Sequence, residues 1–265
     1  MYITSKLNGI PTKKTYSEKY SGVTDNGVYY NENHTSCGNV MFQIASVLGL
    51  SWDYGYTASF PIIREFYDVL KHKNFKNENI YRNLNTFDVN VEKEINLSHG
   101  YQIQKFLNEI KDKKNIQINS YLQCWKYFHK YRDRILDTFS IDESSKFYIS
   151  NKYDIFDDKK INVSIHIRRG DFVFIAKKWN KEYLLDDSYF YKSLETLDKK
   201  ISTNYNLLVF SNDIDYCKQN YKFESEKRNV IFIENNPDYI DLWLMSMCNH
   251  NIINKSSFSW WGAYL

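Results

Sequence analysis

Short apolar runs, each followed at once by a polar cluster, recur four times in the second half of the chain and constrain its fold more than any other feature. The runs are rich in β-branched residues: "INVSIHI", "NLLVF", "NVIFI" and "HNIIN". Stretches with a helical pattern, such as "DSYFYKSLETLDKK" and "DYIDLWLMSMCNH", lie between them. This alternation predicts βαβ units, and therefore an α/β fold with a parallel sheet.

The polar clusters come directly after the predicted strands, where open parallel sheets bind their ligands. Because ligands bind outside the carboxyl ends of such strands, we expect the clusters to form one site. The clusters are Arg168–Asp171, Ser211–Asp213, Glu234–Asn236 and Lys255–Ser257.

The stretch "HIRRGD" is the cluster with the most pronounced chemistry. Alternation along the strand places Ser164, His166 and Arg168 on one face and leaves Arg169 at the following turn, free to point into a cleft. A guanidinium forms two charge-assisted hydrogen bonds with a phosphate, so two arginines suit a diphosphate. The alternative is a pair of ion-paired surface arginines beside a satisfied histidine. A reading of the embedded "RGD" as an adhesion motif has little support at a strand end.

Hydroxyl groups and a Gly-Asn turn mark two further candidate phosphate sites at predicted helix starts. In "NKSSFSWWGAYL", Ser256, Ser257 and Ser259 could cradle a phosphate or could simply cap the helix. Gly38 and Asn39 precede the helical pattern "NVMFQIASVLGL" in the same way. Trp260 and Trp261 are better explained as core residues than as a stacking platform.

Asp213 and Asp215 follow the second predicted strand, in "FSNDIDYCK". They could bind a metal, cap a helix or accept hydrogen bonds from a guanine edge. Asp215 fits a solvated helix position, which leaves Asp213 as the functional candidate. No Asp-x-Asp motif lies in a clear strand-end loop, so the sequence predicts no metal site.

Composition bounds the remaining possibilities. A chain of 265 residues that is 43% apolar can build one large α/β unit or two lobes. Its net charge of +3 is too small to indicate nucleic-acid binding, for which a concentrated basic stripe is expected. The four scattered cysteines have no metal-ligand spacing and favour reduced thiols over two disulfides. No leader-like or membrane-spanning apolar segment is evident, so we expect a cytoplasmic protein.

Taken together, five blocks resemble glycosyltransferase family 11, the α-1,2-fucosyltransferases, within the wider α-1,2/α-1,6/protein O-fucosyltransferase group. "HIRRGD" resembles the group's diphosphate-binding motif, and "GNVMFQIA" resembles its N-terminal block. Val40 departs from that block, where the family has glutamine, and the usual Gly-Gly-Leu is missing before Gly38. The other blocks are "VFSNDIDYCK", "YIDLWLMSMCNHNIINKSSFSWWGAYL" and "SYLQCWKYF".

The resemblance implies a GT-B-like fold of two Rossmann-like lobes with parallel sheets. Residues 1–150 would form an acceptor-side lobe and residues 151–265 a lobe that binds GDP-fucose. Relatives continue with a further strand and helix beyond the position of Leu265, so we expect a truncated C-terminal lobe.

The resemblance also implies an activity, which is inverting transfer of L-fucose from GDP-β-L-fucose to a glycan hydroxyl, galactose O2 in the family. Arg169, with Arg168, would neutralise the leaving diphosphate without a metal. His166 would orient the arginines or touch the nucleotide, and Asp171 would fix their geometry. Asp213 would bind guanine. The full set of donor-binding candidates is Gly38, Asn39, Ser211, Asn212, Asp213, Ser256, Ser257, Phe258 and Ser259.

Several alternatives stay open at this point. The general base could be His34, His99, Asp53 or Asp171. The donor could be another nucleotide sugar, or the chain could be a non-catalytic module that binds nucleotides or glycans. A nicotinamide-dependent oxidoreductase is disfavoured because no Gly-x-Gly-x-x-Gly follows a predicted strand. The expected partners are therefore a nucleotide-sugar donor and a glycan acceptor, with no nucleic acid.

Overall fold

The computed structural model describes residues 1–8, 37–64, 80–153, 160–170, 172–173, 176 and 184–265. These residues form two compact units, the first ending at Asp142 and the second beginning at Glu143. The short strand predicted at "GVYYNEN" lies outside the described residues. The roles assigned to the two lobes stay predictions.

The first unit is built on a parallel sheet of four strands. In the order β2-β1-β4-β3, all neighbouring strands run parallel. The strands are β1 (Tyr2–Ser5), β2 (Thr57–Ala58), β3 (Lys93–Asn96) and β4 (Ile116–Asn119). The helices are α1 (Cys37–Tyr54), α2 (Ile103–Glu109) and α3 (Arg132–Thr138).

Helix α1 confirms the helical pattern predicted for "NVMFQIASVLGL", and it is buried along most of its length. Small residues let the neighbouring backbone approach it. A Cβ added at Gly49 would collide with the carbonyl oxygen of Tyr127. The helix is therefore hydrophobic on nearly all sides, as expected of a helix enclosed by a core.

The helical pattern predicted for "SYLQCWKYFHKYRDRILDTF" is correct only in its second half. Leu122 has a left-handed φ of +49°, and its N–H is accepted by the hydroxyl of Ser120. This local turn interrupts the start of the stretch. Two 3₁₀ turns, Trp125–Tyr127 and His129–Tyr131, then lead into α3. The side-chain-to-backbone bond at Ser120 offers the chain an alternative to a helix.

The second unit confirms the predicted parallel sheet. All four apolar runs form strands, in the order β7-β6-β5-β8. They are β5 (Ile161–Ile167), β6 (Tyr205–Ser211), β7 (Arg228–Phe232) and β8 (His250–Ile252). The helices are α4 (Glu143–Lys152), α5 (Asp187–Lys200), α6 (Ile214–Asn220), α7 (Asp238–Ser246) and α8 (Ser257–Tyr264).

Both faces of β5 are buried, because elements cover the sheet on its two sides. Val163 and Ile165 belong to an apolar cluster on one face. On the other face Ser164 is buried and accepts a hydrogen bond of 2.8 Å from the Asn251 amide. The predicted alternation along the strand is therefore correct, but the polar face is enclosed as well.

Helices α7 and α8 pack closely at a glycine. A Cβ added at Gly262 would lie 2.8 Å from the Cβ of Met245. Trp261 is fully buried, and Trp260 stacks on Tyr264 with ring centroids 4.8 Å apart. The core assignment is confirmed for Trp261, whereas Trp260 is only partly buried.

All four cysteines are free thiols, as expected. Within the described ranges, no helix has both the length and the apolar character to cross a membrane.

Candidate functional site

The carboxyl ends of the central strands of the second unit bring three of the predicted polar clusters to one edge. Ile167, the last residue of β5, pairs with Ser211, the last residue of β6. β8 runs parallel on the other side of β5 and leads into α8. The clusters around Arg169, Asp213 and Ser256 therefore follow three adjacent strands.

Arg169 is held between a carboxylate and an aromatic ring. Its Nε lies 3.3 Å from Oδ2 of Asp213. Its guanidinium carbon lies 3.2 Å from the centroid of the Tyr216 ring, and its side chain is only 17% exposed. The arginine, which the sequence left free to point into a cleft, is thus fixed at the edge of the sheet by an ion pair and a ring contact.

The turn that carries Arg169 is shaped by residues that follow β6. The backbone N–H of Arg169 donates to Oδ1 of Asn212 at 2.9 Å. Gly170 has a φ of +47°, and a Cβ there would overlap the Asn212 side-chain nitrogen. Because of this conformation and this contact, the turn requires glycine.

Ser211 links the ends of two strands. Its hydroxyl donates to the carbonyl oxygen of Ile167 at 2.7 Å and accepts the N–H of Asp213 at 3.0 Å. Ser211 and Asn212, both predicted to bind the donor, therefore have structural partners that set the positions of Arg169 and Asp213.

Arg168 is half-buried and lies with its guanidinium carbon 5.4 Å from the centroid of the Phe172 ring. Together with Arg169 it contributes to a cavity of about 240 Å³ at the end of β5. The cavity is lined by Ile167, Arg168, Arg169, Leu184, Leu185, Asp186, Asp187, Phe190, Tyr221 and Asn254.

His166 is buried and uncharged. Burial, and next the charge of Arg168, lower its pKa to about 3, against the opposing effect of a hydrogen bond with Asn254. Among the described residues its Nδ1 has no hydrogen-bond partner. Its ring lies 5.7 Å from that of Phe258. A neutral imidazole cannot neutralise a phosphate, so the predicted role of His166 is narrowed to orienting the arginines or touching the nucleotide, and that role stays a prediction.

The hydroxyls at the start of α8 serve the helix itself. Ser256 is the N-cap, and its side chain accepts the N–H of Phe258 at 3.3 Å. Ser259 is fully buried and donates to the carbonyl oxygen of Ser256 at 3.2 Å. Ser257 and Phe258 lie in the first turn, partly buried. The capping interpretation is confirmed for Ser256, which leaves donor binding by this group a prediction.

Gly38 and Asn39 belong to the first unit. Gly38 is buried in the first turn of α1. The Asn39 side-chain oxygen accepts a hydrogen bond of 2.5 Å from the Gln123 amide. Their predicted contact with the donor stays a prediction.

The candidate general bases differ in their surroundings. Asp171 and His34 lie outside the described residues. Asp53 forms an ion pair with Lys130 and accepts a 2.7 Å hydrogen bond from Tyr131. His99 is exposed beside a second cavity in the first unit.

Sequence reasoning missed several residues of this site. Tyr216 lies three residues after Asp213, one turn into α6, a spacing that could have marked it as a neighbour of Arg169. Tyr221 and Asp187 meet through a 2.6 Å hydrogen bond across 34 residues, and burial raises the pKa of Tyr221 well above its usual range. No local signal announces such a long-range pair. In the described part of the chain, no three His, Cys, Asp or Glu side chains cluster as metal ligands would.

A family model described as glycosyl transferase family 11 matches residues 12–265. The chain belongs to this family. The match confirms the resemblance drawn from the five sequence blocks.

Curated relatives match parts of this sequence. It is 43% identical over 106 residues to an alpha-1,2-colitosyltransferase of Escherichia coli, which covers 39% of this chain and 36% of the relative. It is 30% identical over 169 residues to the O-antigen biosynthesis glycosyltransferase WbnK of Escherichia coli, and the match covers 61% of this chain and 55% of WbnK. It is 28% identical over 159 residues to galactoside alpha-(1,2)-fucosyltransferase 2 of Pongo pygmaeus, covering 57% and 45%. The matched segments thus span about half of these relatives or less.

Solved structures with the same fold include a NodZ alpha-1,6-fucosyltransferase soaked with GDP-fucose. The TM-score is 0.54 at 10% identity, covering 86% of this chain and 88% of that one. NodZ from Bradyrhizobium gives a TM-score of 0.53 at 10% identity, covering 86% and 89%. This likeness confirms the expected GT-B-like α/β fold with parallel sheets.

Proposed function

We propose that this family 11 glycosyltransferase transfers L-fucose from GDP-β-L-fucose to a glycan hydroxyl, galactose O2, with inversion to an α-linkage. The names of the relatives support this reaction class, since they include an alpha-1,2-colitosyltransferase and a galactoside alpha-(1,2)-fucosyltransferase. The observation that carries the proposal is the pair Arg168 and Arg169 at one cavity.

The arginine pair has the charge that the reaction needs. Breaking the bond between fucose and the β-phosphate leaves negative charge on the departing GDP. Guanidinium groups aimed at that phosphate stabilise the transition state more than the ground state, which raises the rate of the chemical step. The proposed mechanism therefore uses fixed cations where other transferases use a metal.

Neighbouring residues fit supporting roles. Asp213 and Tyr216 hold the Arg169 side chain, so less freedom is lost when the phosphate binds. We assign Asp213 to guanine, whose N–H groups would take over part of the carboxylate's present bonding. We assign Asp171 and the uncharged His166 as residues that position the arginines. His166 would do so without changing its charge.

The remaining donor contacts are proposed from the family pattern. Gly38 and Asn39 are assigned to donor binding as well, and residues 1–150 to an acceptor-side lobe. Residues 151–265 would bind GDP-fucose through Ser211, Asn212 and the turn that opens α8. Independence from metal ions belongs to the same proposal, and a cytoplasmic location stays a prediction.

The deciding experiment is a GDP-release assay with purified protein and a panel of acceptors. Turnover with GDP-fucose and galactose-terminated acceptors, and none with UDP-sugars, is the expected result. Saturable GDP binding without turnover on any acceptor would instead identify a non-catalytic module.

A colitosyl donor is the second candidate, and one observation favours it. The alpha-1,2-colitosyltransferase is 43% identical to this chain over the matched residues. Colitose is fucose without the 3-hydroxyl, so the two donors present the same diphosphate to the arginines. Competition between GDP-fucose and GDP-colitose in the same assay separates them, because the preferred donor has the higher kcat/KM.

A further inference from the structure

A second cavity, of about 290 Å³, lies in the first unit at the carboxyl edge of its sheet. Its lining follows three adjacent strands: Asn8 comes after β1, Asn119 and the next two residues end β4, and Leu97–His99 come after β3. Such edges are where parallel sheets bind ligands. The volume is near the lower end of the roughly 300–1,000 Å³ typical of small-molecule sites.

A row of hydrogen-bonded side-chain amides begins in the lining of this cavity. The Asn8 amide donates to Oδ1 of Asn119 at 3.2 Å, and the Asn119 amide donates to Oδ1 of Asn96 at 2.8 Å. Amides carry both donors and acceptors, so a connected row of them can pair with hydroxyl groups, which also do both.

The backbone at Asn8 is fixed from beneath. The fully buried Gln43 accepts the N–H of Asn8 at 2.8 Å and donates to its carbonyl oxygen at 2.9 Å. A binding surface that is already fixed loses little conformational freedom when a ligand arrives.

An aromatic surface flanks the amides. Tyr121 is 39% exposed, and its ring is nearly parallel to that of His99, with an interplanar angle of 11° and centroids 6.4 Å apart. Both residues line the cavity. The negative face of an aromatic ring attracts the weakly positive C–H bonds of a sugar ring.

The charge of the lining separates this cavity from the one at Arg169. The lining holds asparagine, serine, leucine, histidine and tyrosine, and among the residues that the structure describes it includes neither lysine nor arginine. Anionic ligands such as nucleotide diphosphates favour arginine and lysine contacts, whereas a neutral polyol is satisfied by amides and a ring face.

We propose that this cavity, lined by Asn8, Leu97–His99 and Asn119–Tyr121, binds a neutral hexose ring of the glycan acceptor. Tyr121 and His99 supply the surface for the C–H face of the sugar, and Asn8 and Asn119 pair with its hydroxyls. That the bound sugar is the acceptor rests on the proposed function. The binding of a neutral sugar here can be tested without turnover.

The test compares Tyr121→Ala with Tyr121→Phe. The alanine variant removes the ring. At saturating donor it should raise the acceptor KM about tenfold, because one contact between the sugar and the ring is lost. The phenylalanine variant keeps the ring face and should stay within about twofold of the wild type. In both, the KM for GDP-fucose and the affinity for GDP should be unchanged.

Tyr2→Ala is the matched control. Tyr2 is 40% exposed on the same sheet, but it begins β1 and so lies at the amino edge, away from the cavity. Its removal should leave both KM values unchanged. An acceptor KM that is unaltered in Tyr121→Ala, or raised equally in Tyr2→Ala, would overturn the proposal.

Sugar binding can be measured independently of the transfer reaction. Saturation-transfer NMR with methyl β-galactoside, in the absence of donor, should show contact with the wild type and lose it in Tyr121→Ala. If no acceptor supports turnover but this pattern holds, the sugar site stands and the transferase assignment falls. If GDP affinity falls in Tyr121→Ala, the cavity belongs to the nucleotide and the proposal is wrong.

Discussion

The guanidinium carbon of Arg169 lies over the Tyr216 ring, 3.2 Å from its centroid. The same side chain is paired with Asp213. A cation held at once by a carboxylate and by a ring has a defined position before any ligand binds. That position is set by Asp213, which precedes α6, and by Tyr216 within α6.

Replacement of Arg169 should abolish most of the transfer activity. Losing a bidentate contact made mainly in the transition state should cost about 3 kcal/mol, on the order of a hundredfold in rate. Arg169→Lys should fail nearly as badly as Arg169→Ala, because an ammonium cannot reproduce the planar fork. Turnover of GDP-fucose per folded molecule measures this, and near-wild-type turnover in Arg169→Lys would reject the assignment.

The same variants should also lose some stability, because the arginine is partnered rather than solvated. Tyr216 and Asp213 lose their contacts, so the melting temperature should fall modestly in Arg169→Ala. A purely structural arginine predicts a different combination, in which stability falls and turnover of the remaining folded protein stays normal. Thermal unfolding measured on the assayed samples distinguishes the two.

Tyr216 should matter through its ring and not through its hydroxyl. Tyr216→Leu removes a cation–π contact worth about 0.5–2 kcal/mol, which corresponds to a loss of kcat of about twofold to thirtyfold if the arginine is misplaced. Tyr216→Phe keeps the ring and should retain wild-type kcat. Steady-state kinetics at saturating donor tests the pair, and equal losses in both variants would contradict a positioning role.

Gly170→Ala should damage both the turn and the activity. The left-handed φ costs about 1–2 kcal/mol for any L-residue, and the new methyl group would displace Asn212, which holds the Arg169 N–H. Gly55→Ala is the control, since Gly55 has a φ of +69° but nothing within 4 Å of an added Cβ. We expect both variants to melt earlier, and only Gly170→Ala to lose turnover.

His166 should make the protein less stable in acid. Its pKa is about 3 in the folded protein against a usual 6.5. The unfolded chain therefore binds more protons between those values, and the free energy of unfolding falls as the pH falls from about 6.5 towards 3. His166→Gln removes the titrating group and should flatten this part of the profile in denaturant titrations. An unchanged slope would show that His166 does not carry it.

Chelation should leave the transfer activity intact. In the proposed mechanism, the arginine pair supplies the positive charge that a divalent cation would otherwise bring to the diphosphate. Activity assayed with and without EDTA checks this. A loss that Mn²⁺ restores would overturn the arginine-only mechanism.

The strands of the second unit were predictable because each apolar run ends in a polar cluster, and the period of two survives in β5. The site was less predictable. "HIRRGD" indicates the arginines, but the partners of Arg169 come from a different strand and helix, 44 and 47 positions further along. In the first unit, the turn at Leu122 depends on one hydroxyl of Ser120 and overrides the helical pattern around it. A periodic pattern indicates burial. It indicates neither a local side-chain contact such as that of Ser120 nor the distant partners of Arg169.

The ion pair between Arg169 and Asp213 also bears on which ligands the empty site rejects. A small anion such as inorganic phosphate can bind the guanidinium only by displacing the carboxylate, or by lying beside it with like charge. A nucleotide diphosphate escapes this penalty when its base brings N–H donors to the carboxylate that its phosphate displaces. If Asp213 binds the base as proposed, the carboxylate would make the arginine discriminate between a free anion and one that arrives attached to a suitable base.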